Sequence, residues 1–208
     1  ESPIISKLIK IELVEDNSQK QAVKSIIEKH HSYVASNDSV GRRIDWLVYH
    51  SDYKNVLGLE KPIGMVGIGS SVYPPPKDIL RYVGMKKNEY KDNFNEFGNN
   101  WRFCMTTYIK NAGTQILKKL RKQAPIEWKK KYGDDLRWLI TFVAGGNNGA
   151  VYKADNWKQI GETAGLPKHK AVSMKWHKDN LDKMFVKPTG ENKKIIFIKK
   201  LDFTKKKS

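Results

Sequence analysis

Read for its apolar and polar positions, the chain divides into short β-like runs separated by amphipathic helical segments. Residues Pro3 to Leu13 alternate in part and predict a strand. Asp16, Asn17 and Ser18 are N-cap candidates for a helix from about Gln19 to His31, with Ala22, Ile26 and Ile27 on its apolar face. Ile44–His50 and Lys61–Gly69 predict two strands joined by a polar, glycine-containing loop, as in an antiparallel hairpin. Gly64, Gly67 and Gly69 in the second strand mark a bulge or a close approach by another backbone or a ligand.

Residues 72–100 lack a long apolar period and contain Pro74-Pro75-Pro76, so a lid-like insertion is expected, with short helices near Asp78–Tyr82 and Lys86–Phe94 and a turn at Gly98-Asn99-Asn100. Trp101–Thr107 predicts a strand and Lys110–Thr114 a turn. A helix follows, with Ile116, Leu117 and Leu120 inward, and Pro125 is expected to end it before a second short helix at Ile126–Tyr132. Leu136–Val143 predicts an apolar strand. Ala144–Gly149 is glycine-rich, and Ala150–Ala154 leads into Asn156–Ile160. The expected domains are residues 1–166 and a basic extension, 167–208, carrying one strand at Lys194–Ile198 and a lysine-rich tail.

Composition adds a partner. The 208 residues suit one large domain, and 39% are hydrophobic, enough for a core. Lys and Arg number 39 against 22 Asp and Glu, a net charge of +17. That excess points to a polyanion: DNA, RNA or an anionic membrane. No apolar run reaches membrane-spanning length, and no charged-then-apolar segment opens the chain. The single cysteine, Cys104, allows no internal disulfide, so a cytoplasmic setting is expected.

Candidate chemistry is spread along the chain. The turn before Thr114 offers helix N–H groups, and Gly113 there permits close approach of an anion, with Lys110 and Thr114 beside it. Lys118, Lys119, Arg121 and Lys122 form a basic helical face suited to phosphate contacts. Tyr33, Tyr152, Trp157 and Trp176 are aromatics among polar residues and suit stacking on an unpaired base. His30 and His31 can exchange protons near neutral pH; with a carboxylate from elsewhere they could also hold a metal, although no recognised metal spacing is present.

Several of these stretches together resemble the GCN5-related N-acetyltransferase (GNAT) fold, and more specifically the DNA-modifying phage Mom proteins and the related domain of Druantia anti-phage systems. The resemblance rests on His30-His31-Ser32-Tyr33, Gly64–Ser71, Trp101-Arg102-Phe103, Lys110–Thr114, Leu139–Val143 and Gly149–Trp157 followed by Gly161 and Thr163. It implies an α/β fold: a mixed, mostly antiparallel twisted sheet flanked by helices. It implies a Mom-like transferase that modifies a DNA base, the adenine exocyclic amine, using an acyl-CoA or another small donor. His30, His31, Tyr33, Ser70 and Tyr152 would be catalytic, and Arg102, Asn111, Gly113 and Thr114 would line the donor cleft. Tyr33, Tyr152 and Trp157 would flank the extruded base, and Lys153 and Asn156 would contact nucleic acid with Trp157 and the basic helix. Two departures from the family pattern are visible. Ile109–Thr114 has a single glycine where GNAT acetyltransferases carry a glycine-rich pyrophosphate loop, and Ala144 stands where Mom-like proteins tend to carry aspartate; Asp155 is a candidate replacement. Both departures favour a non-catalytic nucleic-acid-binding module as the alternative. A conventional acyl-CoA N-acetyltransferase is the third reading.

Overall fold

The computed structural model describes residues 9–30, 41–144, 147–165 and 193–201. Among these, seven strands form one sheet: β1 (Ile9–Leu13), β2 (Arg43–His50), β3 (Gly64–Ser70), β4 (Phe97–Met105), β5 (Trp138–Val143), β6 (Lys158–Glu162) and β7 (Ile195–Lys200), in the order β1-β2-β3-β4-β5-β7-β6. Within that sheet β4 and β5 run parallel, and every other neighbouring pair is antiparallel. The parallel pairing requires a long connection, and helix α4 (Ala112–Tyr132) supplies it. The expected mixed, mostly antiparallel sheet flanked by helices is the fold observed.

Helix α1 (Asn17–His30) begins where the cap residues foretell. The Asp16 carboxylate accepts the Gln19 N–H at 2.8 Å, and the Gln19 side chain accepts the Glu15 and Asp16 N–H groups at 2.8 and 3.1 Å. This reciprocal box satisfies donors that the first turn leaves open. Val23, Ile26 and Ile27 then pack on Leu47, Met65 and Cys104 of the sheet. On the larger core, Ile116, Leu117, Leu120, Ala124 and Trp128 of α4 pack against Trp46, Val48, Val66 and Ile68.

Four expectations are corrected. Pro125 does not end the helix: α4 is continuous for 21 residues with the proline inside. Proline forfeits one backbone hydrogen bond, but Leu120 and Ala124 before it and Trp128 after it are all buried on one face, and that packing holds the helix together. Gly98-Asn99-Asn100 is not a turn but part of β4. A Cβ on Gly98 would lie 2.7 Å from Ile68 and 2.9 Å from Leu136, so the glycine is there for close packing. Residues 72–100 are not a loose lid. Helices α2 (Lys77–Val83) and α3 (Lys87–Asp92) bring Ile79 and Tyr90 onto Phe97, Ile140, Ile196 and Ile198, covering the sheet. The strand expected in a C-terminal extension is an inner strand: β7 lies between β5 and β6, with Ile196, Phe197 and Ile198 fully buried.

Candidate functional site

Strands β4 and β5 pair over only three positions, Phe97 with Trp138, Gly98 with Leu139 and Asn99 with Ile140, and then part. A bulge coincides with the parting: Gly69 is opposite Asn99 but Gly67 is opposite Arg102, so β4 carries one extra residue between them. Such a bulge re-aims side chains, and the one it re-aims is Asn100. Its amide donates to the Gly67 carbonyl at 2.8 Å and to the Arg102 carbonyl at 3.0 Å. Its side-chain oxygen accepts the Tyr152 hydroxyl at 2.7 Å, and its backbone carbonyl accepts the Thr141 hydroxyl at 3.1 Å. The floor of the divergence is therefore a closed, buried polar network. Burial pushes the Tyr152 hydroxyl up to about 12, against the lowering effect of Thr141, so at neutral pH it is a protonated donor.

The rim is cationic. Arg102 lies 4.6 Å from the centre of the Trp101 ring, and Arg43 lies 4.2 Å from the same ring. Trp101 donates to Asp45 at 3.2 Å, and the Arg43 guanidinium donates to the same carboxylate at 2.6 Å. Burial raises the Asp45 carboxyl above the usual range; Arg43, and then Trp101, oppose it. Gly67 makes room for this contact, since a Cβ there would lie 2.3 Å from Asp45 and 2.4 Å from the indole nitrogen. At the entry to β7, Lys194 is exposed as a residue, yet the protein around its ammonium, and secondly the Arg102 charge, lower its pKa. Asn100, Asp45 and Lys194 were given no site role from sequence, and Trp101 entered only through the family resemblance. Asp45 inside an apolar strand was the one available signal.

The expected donor turn is closed by its own packing. Asn111 caps α4 in the left-handed region at φ 61°, and the Thr114 hydroxyl donates to the Asn111 carbonyl at 3.1 Å. Gly113 is covered: a Cβ there would lie 2.3 Å from Val151 of helix α5 (Ala150–Ala154). Its lack of a side chain serves the packing of α5 on α4, which corrects the expectation of an open approach for an anion. Ser70, at the end of β3, accepts the Arg42 N–H at 2.8 Å.

The expected wall of the base pocket is core. Trp157 is 3% and Tyr152 7% exposed. Tyr152 stacks on Phe197 with centres 5.7 Å apart and meets Trp157 edge-on at 5.0 Å. Neither ring has a face to offer a base, which corrects both assignments. Arg121 is corrected too, because it clamps Asp155 with two bonds of 2.8 and 2.7 Å. Asp155 also accepts the Trp157 indole N–H at 2.9 Å, so it is a structural anchor and not a replacement catalytic carboxylate. Asn156 is exposed at φ 57°, and its carbonyl accepts the Lys199 ammonium at 3.2 Å. Lys118 and Lys122 are exposed and Lys119 half-buried along one side of α4, with Lys153 exposed on α5. His31, Tyr33, Trp176 and the His30 side chain lie outside the described residues. Among the described residues no three His, Cys, Asp or Glu stand together to hold a metal, and no helix is long and apolar enough to cross a membrane.

Solved structures share this architecture at low identity. NAA60 of Arabidopsis thaliana is similar both with acetyl-CoA and with a bisubstrate analogue. Each shows 12% identity, a TM-score of 0.52 and coverage of 93% of this chain, with 98% and 100% of the respective NAA60 chain covered. The ribosomal-protein-S18-alanine N-acetyltransferase of Escherichia coli is 11% identical, with 97% of this chain and 99% of that chain covered and a TM-score of 0.49. The shared feature is the fold, which is that of the GNAT acetyltransferases. No curated protein matches the chain. A family model, Druantia protein DruA, matches residues 2–172, more than half of the chain, and the chain belongs to that family.

Proposed function

We propose that this chain is a GNAT-type transferase whose acceptor is a base amine of DNA, in its most specific form the adenine exocyclic amine modified by Mom-like proteins. The observation that carries the reading is the divergence of β4 and β5, with Arg102 on β4 beyond the last paired position and Lys194 just before Ile195, which lies opposite Val143 at the end of β5. Two neighbouring cations suit an anionic donor, and NAA60, which has the same fold, is solved in complex with acetyl-CoA. The donor would supply an activated carbonyl carbon: the base amine would form a C–N bond to it, the thioester C–S bond would break, and the CoA thiolate would leave and take up a proton to depart as the free thiol. This chain's residues would do the rest: Arg102 and Lys194 hold negative charge, Asn100 and Thr141 fix the floor, and Tyr152 keeps its proton there at neutral pH. His30 and His31 remain the candidates for taking the proton from the attacking amine. Lys118, Lys122 and Lys153 would hold the phosphate backbone, giving affinity that falls with salt.

Two measurements test this together. Acetyl-CoA and other acyl-CoAs should raise the melting temperature of the native protein, and Arg102→Ala with Lys194→Ala should abolish the rise. DNA incubated with protein and donor, then digested to nucleosides, should show added mass on deoxyadenosine. Unchanged nucleosides from DNA that the folded protein demonstrably binds would overturn the reading. A donor-induced shift with unchanged nucleosides would move the acceptor to a protein or small-molecule amine. A non-catalytic nucleic-acid-binding module is the second reading, favoured by Val151 over Gly113. It expects no donor shift and retained, salt-sensitive DNA binding.

A further inference from the structure

The connection between β2 and β3 ends in an apolar tip. Val56 is 102%, Leu57 78% and Leu59 62% exposed, and Tyr108, beyond the end of β4, is 88% exposed. Scattered surface aliphatics are ordinary, but these three fall within four residues on a pinned turn. The Asn55 side chain accepts the Leu57 and Leu59 N–H groups at 2.9 and 3.0 Å, and the Asn55 N–H donates to the Leu59 carbonyl at 2.7 Å. Gly58 supplies the left-handed residue at φ 75° with open space around it. Below the tip, Lys54 pairs with Glu60 in a short antiparallel bridge, and the Lys61 N–H donates to the Tyr53 carbonyl at 3.1 Å. The turn thus holds its apolar side chains outward when it could have folded them away.

Place and charge narrow what covers it. The Gly64 end of β3 lies opposite Met105, at the end of β4 toward which β4 and β5 part. Thr106 ties the two connections there, its N–H and hydroxyl donating to the Ile63 carbonyl at 2.8 and 3.0 Å. So the tip and Tyr108 share one end of the sheet with the open mouth of the divergence. Exposed Lys54 and Lys61 flank the tip together with Asp52 and Glu60, the latter paired with Lys10, and the chain as a whole carries +17. Aliphatic wedges beside cations part stacked bases, and an exposed ring stacks on a base so released.

We infer that Val56, Leu57 and Leu59 form a wedge that enters duplex DNA and unstacks a base step, with Tyr108 as the surface that receives the freed base. The inference rests on DNA being the acceptor substrate and adds how an amine buried in the duplex is brought to the cleft. It also supplies an exposed aromatic where Tyr152 and Trp157 cannot serve.

The test uses the full chain and a Val56→Ser, Leu57→Ser double variant with a duplex carrying 2-aminopurine. Affinity is read by anisotropy and unstacking by 2-aminopurine fluorescence. The native protein should brighten the probe. The double variant should keep its melting temperature and much of its DNA affinity, yet lose the brightening; Tyr108→Ala should weaken it. Native protein that binds the duplex without brightening it, or a double variant that brightens it fully, overturns the wedge. So does a substitution that spares brightening but abolishes binding to phosphatidylcholine–phosphatidylserine vesicles, which would make the tip a lipid contact. Nucleoside mass spectra from the same samples, with acetyl-CoA added as donor, separate the two ideas. Brightening without modified nucleosides sinks the transferase reading and leaves the wedge standing; modified nucleosides without brightening do the reverse.

Discussion

Gly149–Trp157 and the β2–β3 connection make opposite use of hydrophobic residues. In the first, aromatics interleaved with polar residues look like a stacking surface and are core: Trp157 is 3% exposed and fastened to Asp155, which Arg121 clamps in turn. In the second, a polar-looking linker with a glycine carries Val56 and Leu57 almost fully in solvent. Interleaved polar residues do not mean exposure when each finds a partner inside, as Asp155 does. A turn sequence does not mean a mere connection when its apolar residues are held outward. Substitutions in the first region should therefore act on stability, and substitutions in the second on partners.

The largest expected effect is Trp157→Ala. Truncating a buried aromatic of this size costs about 3–5 kcal/mol, and it also removes one of the donors to Asp155. Urea unfolding should show a large fall in midpoint. If Trp157 were instead a wall of a base pocket, stability would hold while DNA binding or modification failed, and the contrast between the two regions would break. Serine substitutions at Val56 and Leu57, by contrast, should change stability by no more than about 0.5 kcal/mol, as at surface positions generally.

The elements were legible where local pattern and tertiary environment agree. Asp16, Asn17 and Ser18 announced α1 as cap candidates, and Asp16 does cap it, accepting the Gln19 N–H three residues on. Ile44–His50 announced β2 because its apolar run is buried across both faces. The misses share one cause: the decisive partner is distant in sequence. Pro125 stays inside α4 because of packing against the sheet. Gly98 reads as a turn residue until Ile68 and Leu136 are seen to fill the space its side chain would need. Asn100 gains its role only through Gly67 and Tyr152, and β7 reads as a tail until it is placed between β5 and β6. At the site, Arg102 was legible through the family resemblance, but the cationic pair it makes with Lys194 spans 92 positions of sequence and has no local signal.

A mid-sized effect separates packing from ligand approach at the turn before α4. Gly113→Ala places a methyl 2.3 Å from Val151 Cγ2. Overpacking of this kind costs about 1–3 kcal/mol, partly offset by roughly 1 kcal/mol of helix propensity. Val151→Ala in the same chain should restore much of the loss, because it vacates the contested space. A donor-binding glycine would behave otherwise: the second substitution would leave the defect unchanged, and the deficit would appear in the donor-induced melting shift.

A smaller effect is the most diagnostic of the floor of the cleft. Tyr152→Phe removes the hydroxyl that donates to Asn100 and leaves that oxygen without its donor, at a cost of about 1–2 kcal/mol near neutral pH. The cost should depend on pH with a definite sign. The folded Tyr152 has a pKa raised to about 12 from an ordinary value of 10.0. Between those values the folded state holds a proton that the unfolded chain has lost, so stability falls as pH rises. The hydroxyl's contribution is thus complete below pH 10 and lost on passing through about 12. The native protein and the Tyr152→Phe variant should differ most at neutral pH and converge in alkali, while buried Tyr90, also raised to about 12, gives both a common decline. Unfolding curves at neutral pH and toward pH 12 measure the convergence. A gap that stayed constant across the range would mean that the Tyr152 hydroxyl is exchanging with solvent, and that the floor beneath Arg102 is open.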